Sequence, residues 1–291
     1  MRKKSRSKIM ILTASGADIP KEIIDELGIT VISFDVSFNG ENFKELDKPI
    51  LEFYDMMSKN DGIPKTFPLY SEEFYKAYQK LYNEGYTDVI TVLINSKGSE
   101  TFESSLKAKK LFYERSPKAE MRIFSIDSHC YSMSYGYAVI QSAKMAKDGA
   151  DANQIVSYLE EWFNYCAIYV IPQTLKYAKK SGRVSGAVAM LGDLFKIKPV
   201  IQFADSTSIT VDKVIGDRNV VDKLVDLVVP RMANDSPYVI IHGSNYNFAK
   251  EIEKHIFKRT GKEAAMYARI GCVVSANIGP DMVGVVIKRK R

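Results

Sequence analysis

Three short segments bring hydroxyl groups to places where a strand gives way to a helix: Thr13-Ala14-Ser15-Gly16, Asn95-Ser96-Lys97-Gly98-Ser99-Glu100-Thr101, and Asp127-Ser128. Free backbone N–H groups and the helix dipole favour an anion at such junctions, so Ser15, Ser96 and Ser99 are candidate contacts to a carboxylate or phosphate. Each hydroxyl has an ordinary alternative use as a helix N-cap, and Ser99 is placed to cap the helix that follows it. Gly182-Arg183 reads first as a helix C-terminus closed by glycine, with Lys179 and Lys180 complementing the dipole. An arginine after such a turn also reaches a carboxylate or phosphate with a forked pair of bonds, so Arg183 joins the candidates. His129 follows the Asp127-Ser128 turn, His242 ends an apolar run and His255 lies in a charged helical stretch. No phosphate-binding P-loop, dinucleotide fingerprint or paired His/Cys metal spacing occurs, which argues against an enzyme and against a metal or cofactor.

The elements that must position these groups read as β-α-β alternation. Strands are expected at Ile9–Thr13, Thr30–Phe38, Asp88–Ile94 and Met121–Ile126, with helices over Lys21–Leu27, Glu72–Glu84, after Glu100, and from Ser132 to Lys147. That order predicts a mainly parallel, helix-covered sheet. After a helix at Ala152–Phe163 the pattern changes. Lys196–Phe203 and Ser208–Val214 read as paired strands around Ala204-Asp205-Ser206, followed by a helix near Asn219–Met232, a strand at Tyr238–His242, a helix near Asn247–Arg259 and final strands flanking Gly279-Pro280. The expectation is an N-terminal α/β domain over residues 1–165 and a C-terminal α+β domain over 166–291, which a chain of 291 residues is long enough to support.

The net charge of +6 sits at the chain ends, in Arg2, Lys3, Lys4, Arg6, Lys8, Lys288, Arg289, Lys290 and Arg291. Those nine exceed the whole excess, so the body is slightly acidic and offers no broad phosphate-tracking face; no nucleic-acid partner is expected. Ile9–Leu12 is too short an apolar run for a secretion signal, and no stretch is long enough for stable membrane insertion. Cys130, Cys166 and Cys272 are odd in number and widely spaced, as free thiols of a reducing compartment would be. The cytoplasm is the expected location.

Taken together, the strand entering Thr13-Ala14-Ser15, a threonine between Pro64 and Pro68, Ser96-x-x-Ser99-x-Thr101, Asp127-Ser128, Gly182-Arg183-Val184-Ser185 and Ile197-Lys198-Pro199 resemble the bacterial DegV family in order and spacing. The likeness runs from about Lys8 to Lys288 and is most specific from Ser181 to Val200. The resemblance implies an α/β, two-domain DegV-like fold: an N-terminal mainly parallel sheet with helices on both faces, a C-terminal α+β domain, and a ligand between them. It implies a non-catalytic carrier of one long-chain fatty acid, the carboxyl group held by hydroxyls and the acyl chain in a buried tunnel, with no other cofactor. By the same resemblance the head-group threonine falls on Thr66, the serine of the family's Ser-Gly-Thr on Ser99, and a head-group histidine on Asn277, two residues before the Gly279-Pro280 turn. Some family members present the acid to a fatty acid kinase subunit. Those carry an arginine after the second-domain hairpin, where this chain has Ile215. The chain departs from the family again at Ala14, at Phe67-Pro68-Leu69 and at Glu100. Two competing readings are a phosphotransferase or hydrolase acting on a small phosphorylated substrate at the same strand ends, and an interaction protein without a lipid.

Overall fold

The structure is a computed structural model and describes residues 7–182 and 197–290. Arg183 lies outside the described residues, as does the motif segment 183–196 around it.

The first half contributes strands β1 (Ile9–Ala14), β2 (Thr30–Ile32), β3 (Asp35–Phe38), β4 (Glu41–Lys44), β5 (Lys65–Phe67), β6 (Asp88–Leu93) and β7 (Arg122–Asp127). Between them run helices α1 (Lys21–Leu27), α2 (Ile50–Lys59), α3 (Ser71–Asn83), α4 (Thr101–Arg115), α5 (Met133–Lys147) and α6 (Ala152–Tyr165). A parallel sheet forms in the order β2-β1-β6-β7. Every residue of β6 is buried, as its unbroken Val-Ile-Thr-Val-Leu run requires of a central strand covered on both faces. Helix α6 starts on a capping box: Asp151 accepts from the N–H groups of Asn153 and Gln154, and Gln154 accepts from the Asp151 N–H.

The expected strand Thr30–Phe38 is two strands in two sheets. β2 pairs in parallel with β1, whereas β3 pairs antiparallel with β4 and β5. The break falls at Ser33-Phe34, where the Phe34 N–H donates to the Ser15 hydroxyl instead of to a neighbouring strand. The β3-β4 hairpin turns on Asn39 and Gly40, both at positive φ, which is the Asn-Gly signature of a tight hairpin.

The second half is a mixed sheet in the order β10-β9-β8-β13-β11-β12. Its strands are β8 (Cys166–Ile171), β9 (Ile197–Ala204), β10 (Thr207–Ile215), β11 (Tyr238–His242), β12 (Met266–Arg269) and β13 (Val283–Lys288). Helices α7 (Lys176–Ser181), α8 (Val220–Val228), α9 (Tyr246–Thr260) and α10 (Cys272–Ile278) accompany it. Side chains alternate across β8: Ile168 and Val170 join the core shared with the first sheet, while Ala167, Tyr169 and Ile171 join a second core packed under α8 and α9. The strand expected before Gly279-Pro280 is the helix α10, and only β13 after it is a strand. Cys272-Val273-Val274 has the β-branched look of a strand. The first N–H groups of this segment, however, are accepted by carboxylates of the first layer rather than by a neighbouring strand.

Candidate functional site

Between the two layers lies a cavity of about 470 Å³. Its lining divides by origin. The connections at the C-terminal ends of the parallel strands supply polar side chains: Ser96, Lys97, Ser99 and Glu100 after β6, and Tyr131 and Ser132 after β7. The facing surface is apolar, with Ile168 and Val170 from β8, Phe203 from β9 and Ile241 from β11. Helix α10 closes one wall with Val273, Val274, Asn277 and Ile278, and β5 adds Thr66 and Phe67. Alternation along β8 thus points the Ile168/Val170 face at the cavity. The strand-end connections bring hydroxyls to it because parallel strands release their chain at one edge.

Ser99 stands one residue before the N-cap Glu100 of α4. Its hydroxyl accepts from the Thr101 N–H at 3.3 Å and shares a 2.9 Å hydrogen bond with the Thr101 hydroxyl, at the start of α4, while remaining on the cavity wall. The Thr101 hydroxyl in turn accepts from the Leu69 N–H, tying this turn to the segment that carries Thr66. Among the described residues the Thr66 and Ser96 hydroxyls take no protein partner; Ser96 is held by its backbone N–H, which donates to Asp127. Asn277 is half-buried and donates one amide hydrogen to the Val273 carbonyl, which leaves its side-chain oxygen and second hydrogen to the cavity.

Two of the sequence candidates are not on the wall. Ser15 is buried and committed, donating to Glu45 and accepting from the Phe34 N–H. Gly279 turns the chain at the end of α10 with φ +99°, where a Cβ would come within 3.0 Å of the Tyr177 ring. Tyr131 and Ser132 line the cavity without having been singled out in the sequence. Ser132 sits at φ 53°, ψ −143°, a region that residues other than glycine rarely occupy, and its hydroxyl donates to Asp18. Tyr131 accepts from the Asn95 amide and meets Phe203 edge-on at 5.4 Å between ring centres. Gly98 permits this: a Cβ there would stand 2.3 Å from the Tyr131 hydroxyl.

Among the described residues, Asp127, His129 and Ser206 form a grouping that looks like a hydrolytic triad. His129 Nδ1 lies 2.8 Å from the Ser206 hydroxyl and 3.2 Å from Asp127 Oδ2. A triad needs the two partners on opposite ring nitrogens, so that one nitrogen takes the serine proton while the other is held by the acid. Here both meet the same nitrogen. Among the described residues no cluster of His, Cys, Asp or Glu could hold a metal ion, and no helix is long and apolar enough to cross a membrane.

The comparisons with known proteins agree with this architecture. A family model described as "Uncharacterised protein, DegV family" matches residues 8–290. A DegV domain-containing protein of Clostridium perfringens is 29% identical over 284 residues, covering 97% of this chain and 99% of that one. Among solved structures, a stearic acid-binding protein from Eubacterium ventriosum superposes with a TM-score of 0.87 at 22% identity, covering 97% of this chain and 98% of its own. A DegV family protein from Thermus thermophilus, solved in a study of its fatty acid binding, gives a TM-score of 0.85 at 19% identity, covering 97% and 100%. With nearly its whole length matched, from the first parallel strand to the last strand of the mixed sheet, the chain belongs to the DegV family.

Proposed function

We propose that the protein is a non-catalytic carrier of one long-chain fatty acid, with the acyl chain against the Ile168/Val170/Phe203/Ile241 face and the carboxyl group at Thr66, Ser96, Ser99 and Asn277. The observation that carries this reading is a cavity with one apolar sheet face and two hydroxyls that have no partner among the described residues. Burial of an acyl chain contributes about 0.8 kcal/mol per methylene, so affinity comes from the apolar face and the head group needs only a few hydrogen bonds. The relatives from Eubacterium ventriosum and Thermus thermophilus, both described as binding fatty acids, share the fold that creates such a cavity. The single-nitrogen geometry of His129 weighs against hydrolysis.

The carrier is proposed to act in the cytoplasm, between the enzymes that release and consume free fatty acids. Ile215 is 63% exposed on β10. A kinase that engages an arginine at this place would meet an apolar side chain here, so the proposal does not depend on a kinase. The test is to purify the protein from a bacterial host under mild conditions, denature it, and identify released lipid by mass spectrometry. A stoichiometric long-chain fatty acid is expected. An empty protein that also fails to take up added oleate overturns the reading, and turnover of a phosphorylated substrate would replace it with the enzymatic one.

A further inference from the structure

Behind the cavity wall lie two buried carboxyl groups that the lipid reading does not use. Asp18 follows the turn after β1 and Glu45 follows β4, and both reach across to the second layer. Asp18 Oδ1 accepts from the Gly271 N–H at 2.9 Å and Oδ2 accepts from the Ser132 hydroxyl. Glu45 Oε1 accepts from the Val273 N–H at 2.8 Å, Oε2 accepts from the Ser15 hydroxyl, and the Cys272 N–H also donates to this carboxyl. Gly271 must be glycine for this approach, because a Cβ would lie 2.5 Å from the Glu45 oxygen and 2.8 Å from that of Asp18. The Tyr54 hydroxyl completes the grip by donating to the Ile270 carbonyl. The gripped segment is the start of α10, whose next turns put Val274, Asn277 and Ile278 on the cavity.

Among the described residues, every hydrogen bond to the two carboxyls comes from a neutral N–H or O–H. The titratable groups around them are Tyr54, Tyr135 and Cys272, and the charges of Lys48, Arg269 and Asp281 act on Tyr54 and Cys272 in turn. Lys48 is already paired with Glu41 and Glu52, and the buried Tyr135 hydroxyl has no partner among the described residues. With no cation in contact among the described residues, two ionised carboxylates here repel each other in a medium that screens them weakly.

We propose that Asp18 and Glu45 are the positioning pair of the lipid site: they fix α10 through the backbone of Gly271, Cys272 and Val273, and their hold slackens when both are ionised. This rests on the lipid reading of the cavity. Burial, and then the nearness of Glu45, push the Asp18 carboxyl well above its ordinary 3.8, and burial pushes Glu45 above 4.5. Each group therefore binds its proton more tightly folded than unfolded. Its stabilising effect is complete below those ordinary values and is lost as pH rises through the raised ones.

The experiment compares wild type, Asp18→Asn and Asp18→Ala at about pH 5 and about pH 8, following oleate affinity and amide hydrogen exchange over residues 271–278. Asp18→Asn keeps an acceptor for the Gly271 N–H without the charge. Its affinity relative to wild type rises from the lower to the higher pH, and a ratio taken at each pH cancels the ionisation of oleate itself. Asp18→Ala loses protection over 271–278 and binds oleate about tenfold more weakly. Should Asp18→Ala fail to fold, Asp18→Asn and Glu45→Gln decide alone. An Asp18→Asn protein whose affinity ratio and exchange do not change with pH overturns the proposal. Wild type that takes up no oleate, with exchange over 271–278 still responding to the variants, overturns the lipid reading while leaving the grip on α10 standing.

Discussion

Thr66→Ala isolates the head-group site from the stability of the fold. Thr66 sits in β5 opposite Val36, half-buried on the cavity wall, and its hydroxyl bonds to no described protein group. Removing it leaves no orphaned protein partner, so unfolding free energy should shift by no more than about 0.5 kcal/mol. If the hydroxyl donates to a bound carboxyl group, the loss is about 1 to 1.5 kcal/mol of affinity, a Kd roughly five- to tenfold higher. Ser99→Ala is the informative contrast, because Ser99 also accepts from the Thr101 N–H at the start of α4. It should lose a similar amount of affinity and, in addition, about 1 kcal/mol of stability, as loss of a hydrogen bond to a helix's first N–H does. Titration with a fluorescent fatty acid, run beside urea unfolding, reads both quantities. If Thr66→Ala and Ser99→Ala both leave Kd unchanged, the carboxyl group is not held at this end of the cavity and the assignment of the head group is wrong. If Thr66→Ala destabilises the protein as much as Ser99→Ala does, its hydroxyl has a structural partner after all.

Three further outcomes are expected. Val170→Trp on the apolar face should displace roughly three methylenes of chain, costing about 2.4 kcal/mol for a C18 acid. A C12 acid should be little affected, and equal losses for both lengths would remove β8 from the chain-binding surface. Gly98→Ala should push the Tyr131 ring off Phe203 and break its bond from Asn95, weakening lipid binding; a crystal structure with Tyr131 unmoved would refute that steric account. The thiols should be inert in the native protein. A hydrogen bond with Cys130, together with burial, pushes the Cys166 thiol up, and burial pushes Cys272 up, so little thiolate exists at neutral pH. Intact-mass analysis after iodoacetamide should show no adduct until denaturant is added, and rapid labelling of native Cys166 would contradict its burial.

What could be read in the sequence was what local pattern controls. The alternation of strands and amphipathic helices in the first half predicted the parallel sheet, and the hydroxyls at Ser96 and Ser99 were recognisable from their place after a strand. One omitted element, β8, has its partners β9 and β13 far along the chain. β8 follows α6 with no turn residue between them, so Cys166–Ile171 carried no punctuation to announce a central strand. The hairpin of β3 and β4 did have a legible mark in Asn39-Gly40, and a reading centred on turns would have found it.

Ser15 and α10 show why site residues are harder to read than elements. Ser15 has the residue type and position of an anion contact, yet its hydroxyl is satisfied by Glu45, thirty residues on, and by the Phe34 N–H. Cys272–Ile278 has the composition of a strand, and nothing within it supplies acceptors for its first N–H groups. Those acceptors are Asp18 and Glu45, more than two hundred residues earlier. A carboxyl group that accepts the first N–H groups of a helix serves it as a local cap does, but from a different layer of the fold. The consequence is that α10 cannot be at once helical, capped and remote from the first sheet. Whatever holds Asp18 and Glu45 in place also sets where Asn277 and Ile278 stand on the cavity wall, so that wall is determined by the contact between the layers rather than by either layer alone.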